Sequence, residues 1–71
     1  MRKFVYTERM RDFLYIKRQE KKLTQKEIAK EIGISRTYYA FIEKGKRDPS
    51  PKIAKKIAKL FNLDWTLFYN D

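Results

Sequence analysis

The groups in this chain that could do chemistry are nearly all of one kind, the fixed positive charge. Eighteen Lys and Arg stand against nine Asp and Glu, a formal charge of +9 over 71 residues. That excess attracts a polyanion, with nucleic acid first and an acidic membrane surface second. Lys44, Lys46 and Arg47 surround Gly45, and cations clustered at a loop suit phosphate oxygens. Lys52, Lys55, Lys56 and Lys59 recur at i, i+3, i+4 and i+7. That stripe reads as a solvated helix face, with an anionic membrane surface as its functional alternative. Only Lys52, beside a helix N-terminus, is placed for a phosphate. The other chemistries lack their residues. There is no His and no Cys, no Gly-rich phosphate loop, and no pair of carboxylates in an apolar setting. The sequence therefore predicts a non-enzyme with no cofactor, no metal and no small-molecule ligand.

Charges must be held in place, and the run Leu23 to Gly45, LTQKEIAKEIGISRTYYAFIEKG, supplies the holder. Thr24 followed by Glu27 is a capping box, in which each side chain takes one free backbone N–H of the helix start. Leu23 and Ile28 have the spacing of a hydrophobic staple. Ile28, Ala29 and Ile32 then share one face. Gly33 ends the helix, because glycine enters the left-handed C′ conformation without steric cost. Ser35 opens a second helix as N-cap, Ile34 and Tyr39 repeat the staple, and Gly45 closes it. Two helices this short need partners to be stable. On the second, Tyr39 and Ile42 fall on one face, flanked by Ser35 and Glu43. Thr37, Phe41 and Lys44 fall on the other, with Arg36 and Ala40 beside them. One face packs and the other is presented.

The run TQKEIAKEIGISRTYYAFIEKGKRDPS resembles the helix-turn-helix of the Xre/Cro-like transcriptional regulators of bacteria and phage. The Thr-Gln opening, small Ala29, the Gly33 turn, the Ile42-Glu43 pair and the Gly45-Lys46-Arg47 exit all match at fixed spacing. The similarity extends from about Glu8 to Tyr69. It implies an all-α, five-helix, lambda-repressor-like domain that binds double-stranded DNA and acts as a repressor, with the helix over about 35–44 in the major groove.

In that pattern Arg36 and Thr37 lie where base edges are read. Arg36 suits a bidentate contact to guanine O6 and N7, with a phosphate role as the competing reading, and Thr37 offers a hydroxyl or a methyl. Ala40 lies on the same presented face. Phe41 has two readings, apolar contact with thymine methyls or packing against the loop beyond Gly45. Gln25, Ser35, Tyr38, Lys44, Lys46, Arg47 and Lys52 are the phosphate candidates. The resemblance also lets Gln25 brace the start of the recognition helix. It pairs Arg18, a charge on an otherwise apolar stripe, with Glu43; a snorkelling surface Arg is the alternative.

The rest of the chain follows in order. Residues 1–7 form a basic and aromatic extension, MRKFVYT, and residues 8–71 the domain. Thr7 is a candidate cap for a first helix from about Glu8 to Lys21, with Met10, Leu14 and Arg18 on one face and Phe13 and Ile16 beside it. Ser50 and Pro51 start a fourth helix ending near Phe61. Asp64 caps a last short helix with Trp65, Leu67 and Phe68, closing the core against Phe13 and Ile16. Core packing is the first reading of Trp65, Phe68 and Tyr69, and a dimer surface using part of them is the alternative. No apolar run approaches a membrane span and no signal peptide is present. A soluble, cytoplasmic, nucleoid-associated protein is expected, monomeric or weakly homodimeric and pairing on DNA, with no appended oligomerisation or sensing domain. The reading from another class is an antitoxin-like protein-interaction module with secondary DNA binding.

Overall fold

The computed structural model describes residues 11–69. The described residues form α1 (Asp12–Glu20), α2 (Gln25–Ile32), α3 (Arg36–Glu43), α4 (Pro51–Phe61) and a final 3-10 segment, Trp65–Tyr69, with no strand among them. The expected fifth α-helix is thus a 3-10 turn. Asp64 explains the difference. Its Oδ1 accepts both the Thr66 N–H at 3.0 Å and the Thr66 hydroxyl at 2.8 Å. The Leu67 N–H reaches the Asp64 carbonyl at 3.0 Å, a tight i+3 closure.

Side-chain oxygens open three of the α-helices. Thr24 and Glu27 form the full capping box, with the Glu27 N–H donating to Thr24 at 3.1 Å and the Thr24 N–H to Glu27 at 2.8 Å. Ser35 accepts the Tyr38 N–H and Ser50 the Ile53 N–H. Each α-helix among the described residues ends on a left-handed residue: Lys22, Gly33, Gly45 and Asn62, with φ between 58° and 89°. In each case the next residue's N–H returns to a carbonyl five positions earlier, as in Leu23 to Arg18 at 3.1 Å and Lys46 to Phe41 at 2.9 Å.

The start of α1 differs from expectation. Arg11 lies outside the helix at φ −91° and ψ 79°, so α1 opens at Asp12 rather than at Glu8. The Arg11 N–H does not enter the helix ladder; it donates to the Glu43 carbonyl at 2.9 Å. Thr7, Glu8, Met10 and the 1–7 extension lie outside the described residues.

The core joins all the elements. Leu14 from α1, Ile28, Ala29 and Ile32 from α2, Tyr39 and Ile42 from α3, Ala54, Ile57 and Phe61 from α4, and Phe68 form one buried cluster. Phe13 meets Phe68 edge-to-face, centroids 5.7 Å apart. Ile16, expected beside Phe13, is 52% exposed and outside the core cluster. Phe68 is buried, so it belongs to the core and not to a dimer surface. No helix among the described residues is long and apolar enough to cross a membrane.

Candidate nucleic-acid interface

The position of α3 is fixed by one carboxylate at its end. Glu43 Oε2 accepts from Arg18 Nε at 2.9 Å and from the Tyr39 hydroxyl at 3.0 Å. Oε1 accepts from Arg18 NH2 at 3.1 Å and from Gln25 Nε2 at 3.0 Å. Four donors fill the acceptor sites of one carboxylate. Burial pushes the Glu43 carboxyl up, but the hydrogen bonds from Arg18, Gln25 and Tyr39 outweigh it and hold the group below its usual range. For Tyr39 burial acts first and the Glu43 charge adds to it, so its hydroxyl is pushed up and stays protonated. Arg18 is also tied to the Leu23 carbonyl at 3.0 Å, with its guanidinium 5.4 Å from the Tyr15 ring centroid. α1, α2 and α3 therefore meet at one charged, buried knot. Gln25 braces the end of α3, at Glu43, and not its start.

The rest of α3 is presented. Arg36 and Thr37 are exposed in its first turn, Ala40 is half-buried, and Phe41 is 38% exposed. Phe41 lies outside the buried cluster and the partly buried side chains packed on it. Ser35 is exposed, its oxygen engaged as the cap. Lys44, Lys46 and Arg47 are exposed around Gly45, and Lys52 is exposed in the first turn of α4. Tyr38 is half-buried, with the Arg47 guanidinium 5.0 Å from its ring centroid. That stack folds the exit loop back along α3. Of the stripe on α4, Lys55 is not simply solvated: its Nζ lies 4.9 Å from the Trp65 ring centroid.

One residue of this region escaped the sequence reading. Arg11 NH1 donates to the carbonyls of Ile42 at 2.7 Å and Arg47 at 3.2 Å. NH2 donates to the Phe68 carbonyl at 3.0 Å and to the Asp48 carboxylate. All four acceptors are more than thirty residues away, so no local pattern carried a signal for it.

Comparison with known proteins agrees with this geometry. The helix-turn-helix family model matches residues 14–68. An uncharacterized HTH-type transcriptional regulator of Bacillus subtilis, YqaF, is 47% identical over 62 residues, which are 87% of this chain and 82% of that protein. The ImmF control region 10 kDa protein of Bacillus phage phi105 is 54% identical over 48 residues, 68% of this chain and 53% of that protein. An uncharacterized HTH-type transcriptional regulator of Methanocaldococcus jannaschii is 56% identical over 41 residues, 58% of this chain and 62% of that protein. The chain thus spans most of the first relative and little more than half of the other two. No solved structure matches it significantly. The family is not an enzymatic one. A capped α2, a left-handed Gly33, a two-faced α3 and these relatives together place the chain in the Xre/Cro-like helix-turn-helix family of DNA-binding transcriptional regulators.

Proposed function

We propose that this protein is a sequence-specific repressor that inserts α3 into the major groove of double-stranded DNA and pairs on it across two half-sites. Arg36, Thr37, Ala40 and Phe41 read base edges. Gln25, Ser35, Tyr38, Lys44, Lys46, Arg47 and Lys52 hold the flanking phosphates. The observation that carries this reading is the division of α3: Tyr39, Ile42 and Glu43 are buried, while Arg36, Thr37 and Phe41 are exposed, as are the cations Lys44, Lys46 and Arg47 that follow them. A guanidinium at the groove-facing N-terminal end suits guanine, and lysines at the loop suit phosphate.

The test separates reading from clamping. A preferred duplex is first selected from random sequence, then Arg36→Ala and Lys46→Ala are titrated on preferred and random duplexes across salt. Arg36→Ala is expected to lose about 1–3 kcal/mol on the preferred duplex only and to relax one base pair. Lys46→Ala is expected to weaken both duplexes and to reduce the slope of log K against log salt by roughly one. Equal losses on both duplexes for Arg36→Ala, with a reduced slope, make Arg36 a clamp and pass base reading to Thr37 and Phe41.

A further inference from the structure

Arg11 is spent entirely inside the protein, yet what it holds is the loop that carries Lys46 and Arg47. Its side chain is only 10% exposed. Its two terminal nitrogens meet four acceptors drawn from three segments: the end of α3, at the Ile42 carbonyl, the exit loop, at the Arg47 carbonyl and Asp48 carboxylate, and the 3-10 segment, at the Phe68 carbonyl. The Phe68 ring supports the guanidinium, Cζ to centroid 5.6 Å. From above, the Phe41 carbonyl accepts the N–H groups of both Lys46 at 2.9 Å and Arg47 at 3.3 Å. From below, Arg11 takes the Arg47 carbonyl. The Arg47 peptide is thus held on both sides, and its side chain is delivered onto the Tyr38 ring. Asp48, the acid that directly follows the loop cations in sequence, is paired with Arg11.

We infer that Arg11 is a positioning residue for DNA binding: it locks the phosphate-holding loop in register with α3 and withdraws the Asp48 charge from it. This rests on the reading of Lys46 and Arg47 as phosphate contacts. A loop fixed before the encounter has no ordering cost to meet on binding. Lysine cannot replace Arg11, because a single ammonium lacks the planar fork that spans these acceptors.

Arg11→Lys is therefore the informative variant, since it keeps the net charge. Its affinity for a preferred and a random duplex is measured across salt, at a temperature where circular dichroism shows it fully folded. Ile28→Val, a conservative change in the buried core, is the control for stability alone, and Lys46→Ala is run alongside. Arg11→Lys is expected to bind both duplexes about tenfold more weakly, since re-ordering two long side chains has a cost of that order. Its salt slope should be unchanged, because the phosphate contacts are the same in number. Amide exchange at Lys46 and Arg47 should rise while Ile28→Val leaves both readouts alone. Wild-type affinity in folded Arg11→Lys, with Lys46→Ala weakened, overturns the inference and leaves the phosphate reading standing. Wild-type affinity in Lys46→Ala removes the phosphate reading and the inference with it. A loss of slope in Arg11→Lys makes Arg11 a direct contact and also overturns it.

Discussion

Removing Glu43 should harm the fold more than removing Arg18, although the two form one ion pair. The reason lies in what each loss leaves behind. Arg18→Ala leaves the Glu43 carboxylate with two donors, Tyr39 and Gln25, and a carboxylate can also escape its charge by taking a proton. Glu43→Ala leaves a guanidinium that cannot lose its proton, with the Leu23 carbonyl as its remaining acceptor among the described residues. It also strips the fully buried Tyr39 hydroxyl of its acceptor. Breaking one side of a buried pair costs about 3–5 kcal/mol. We assign Arg18→Ala about 3 kcal/mol and Glu43→Ala about 4–5 kcal/mol, the excess reflecting the orphaned hydroxyl. A domain of 71 residues holds about 4–11 kcal/mol in all, so Glu43→Gln should accompany Glu43→Ala in case the latter does not fold. The assay is urea unfolding followed by Trp65, the single tryptophan. With a slope near 1 kcal/mol per molar, Arg18→Ala should lower the midpoint by roughly 3 M. The double variant should regain part of the loss. Equal penalties for the two single variants, or unmoved midpoints, refute the reasoning.

Three further outcomes follow from the same structure. In the wild type the Glu43 carboxyl is held low, so its contribution is complete above the unfolded carboxylate value and is lost as pH falls through the lower folded one; in Arg18→Ala burial dominates, the sign reverses, and the penalty should grow as pH rises from about 5 to 7, read from urea midpoints. Lys22 stands at φ 58°, a conformation costing an L-residue roughly 1–2 kcal/mol, so Lys22→Gly should raise the melting temperature, with the net gain cut to about 1 kcal/mol or less by the entropy of the unfolded glycine. The selected DNA site should show two-fold symmetry with half-sites about 34–36 Å apart or a multiple of it; an asymmetric footprint from a single bound protomer counts against pairing.

What could be read from the sequence depended on how far apart the interacting residues lie. Thr24 with Glu27, Gly33, Ser35, Gly45 and Ser50-Pro51 act within one turn of themselves, so the edges of α2 and α3 and the start of α4 were visible in the residue types. The start of α1 was not, because Arg11 is claimed by Glu43, Ile42, Arg47, Asp48 and Phe68, all remote in sequence. The left-handed Lys22 carries no glycine to announce it. Ile16 has the spacing of a core residue, yet it is exposed while Phe13 meets the Phe68 ring. A side chain that caps an α-helix and one that closes a 3-10 turn are the same aspartate in one dimension, so the end of the chain was misread. At the interface, the exposure of Arg36, Thr37 and Phe41 followed from helical periodicity alone. The stacking of Arg47 on Tyr38 needed the loop to turn back, which Gly45 permits but does not specify.

The side-chain hydrogen bonds described for α3 run through Ser35, Tyr39 and Glu43. They lie at its cap and on its buried face, and the outward positions 36, 37, 40 and 41 are left out of that work. Substitutions there leave the knot at Glu43 and the core intact. If these four positions read bases as proposed, a lineage carrying this scaffold can change its preferred DNA site one residue at a time without passing through unfolded intermediates. An engineer can randomise those four codons and expect most of the library to fold.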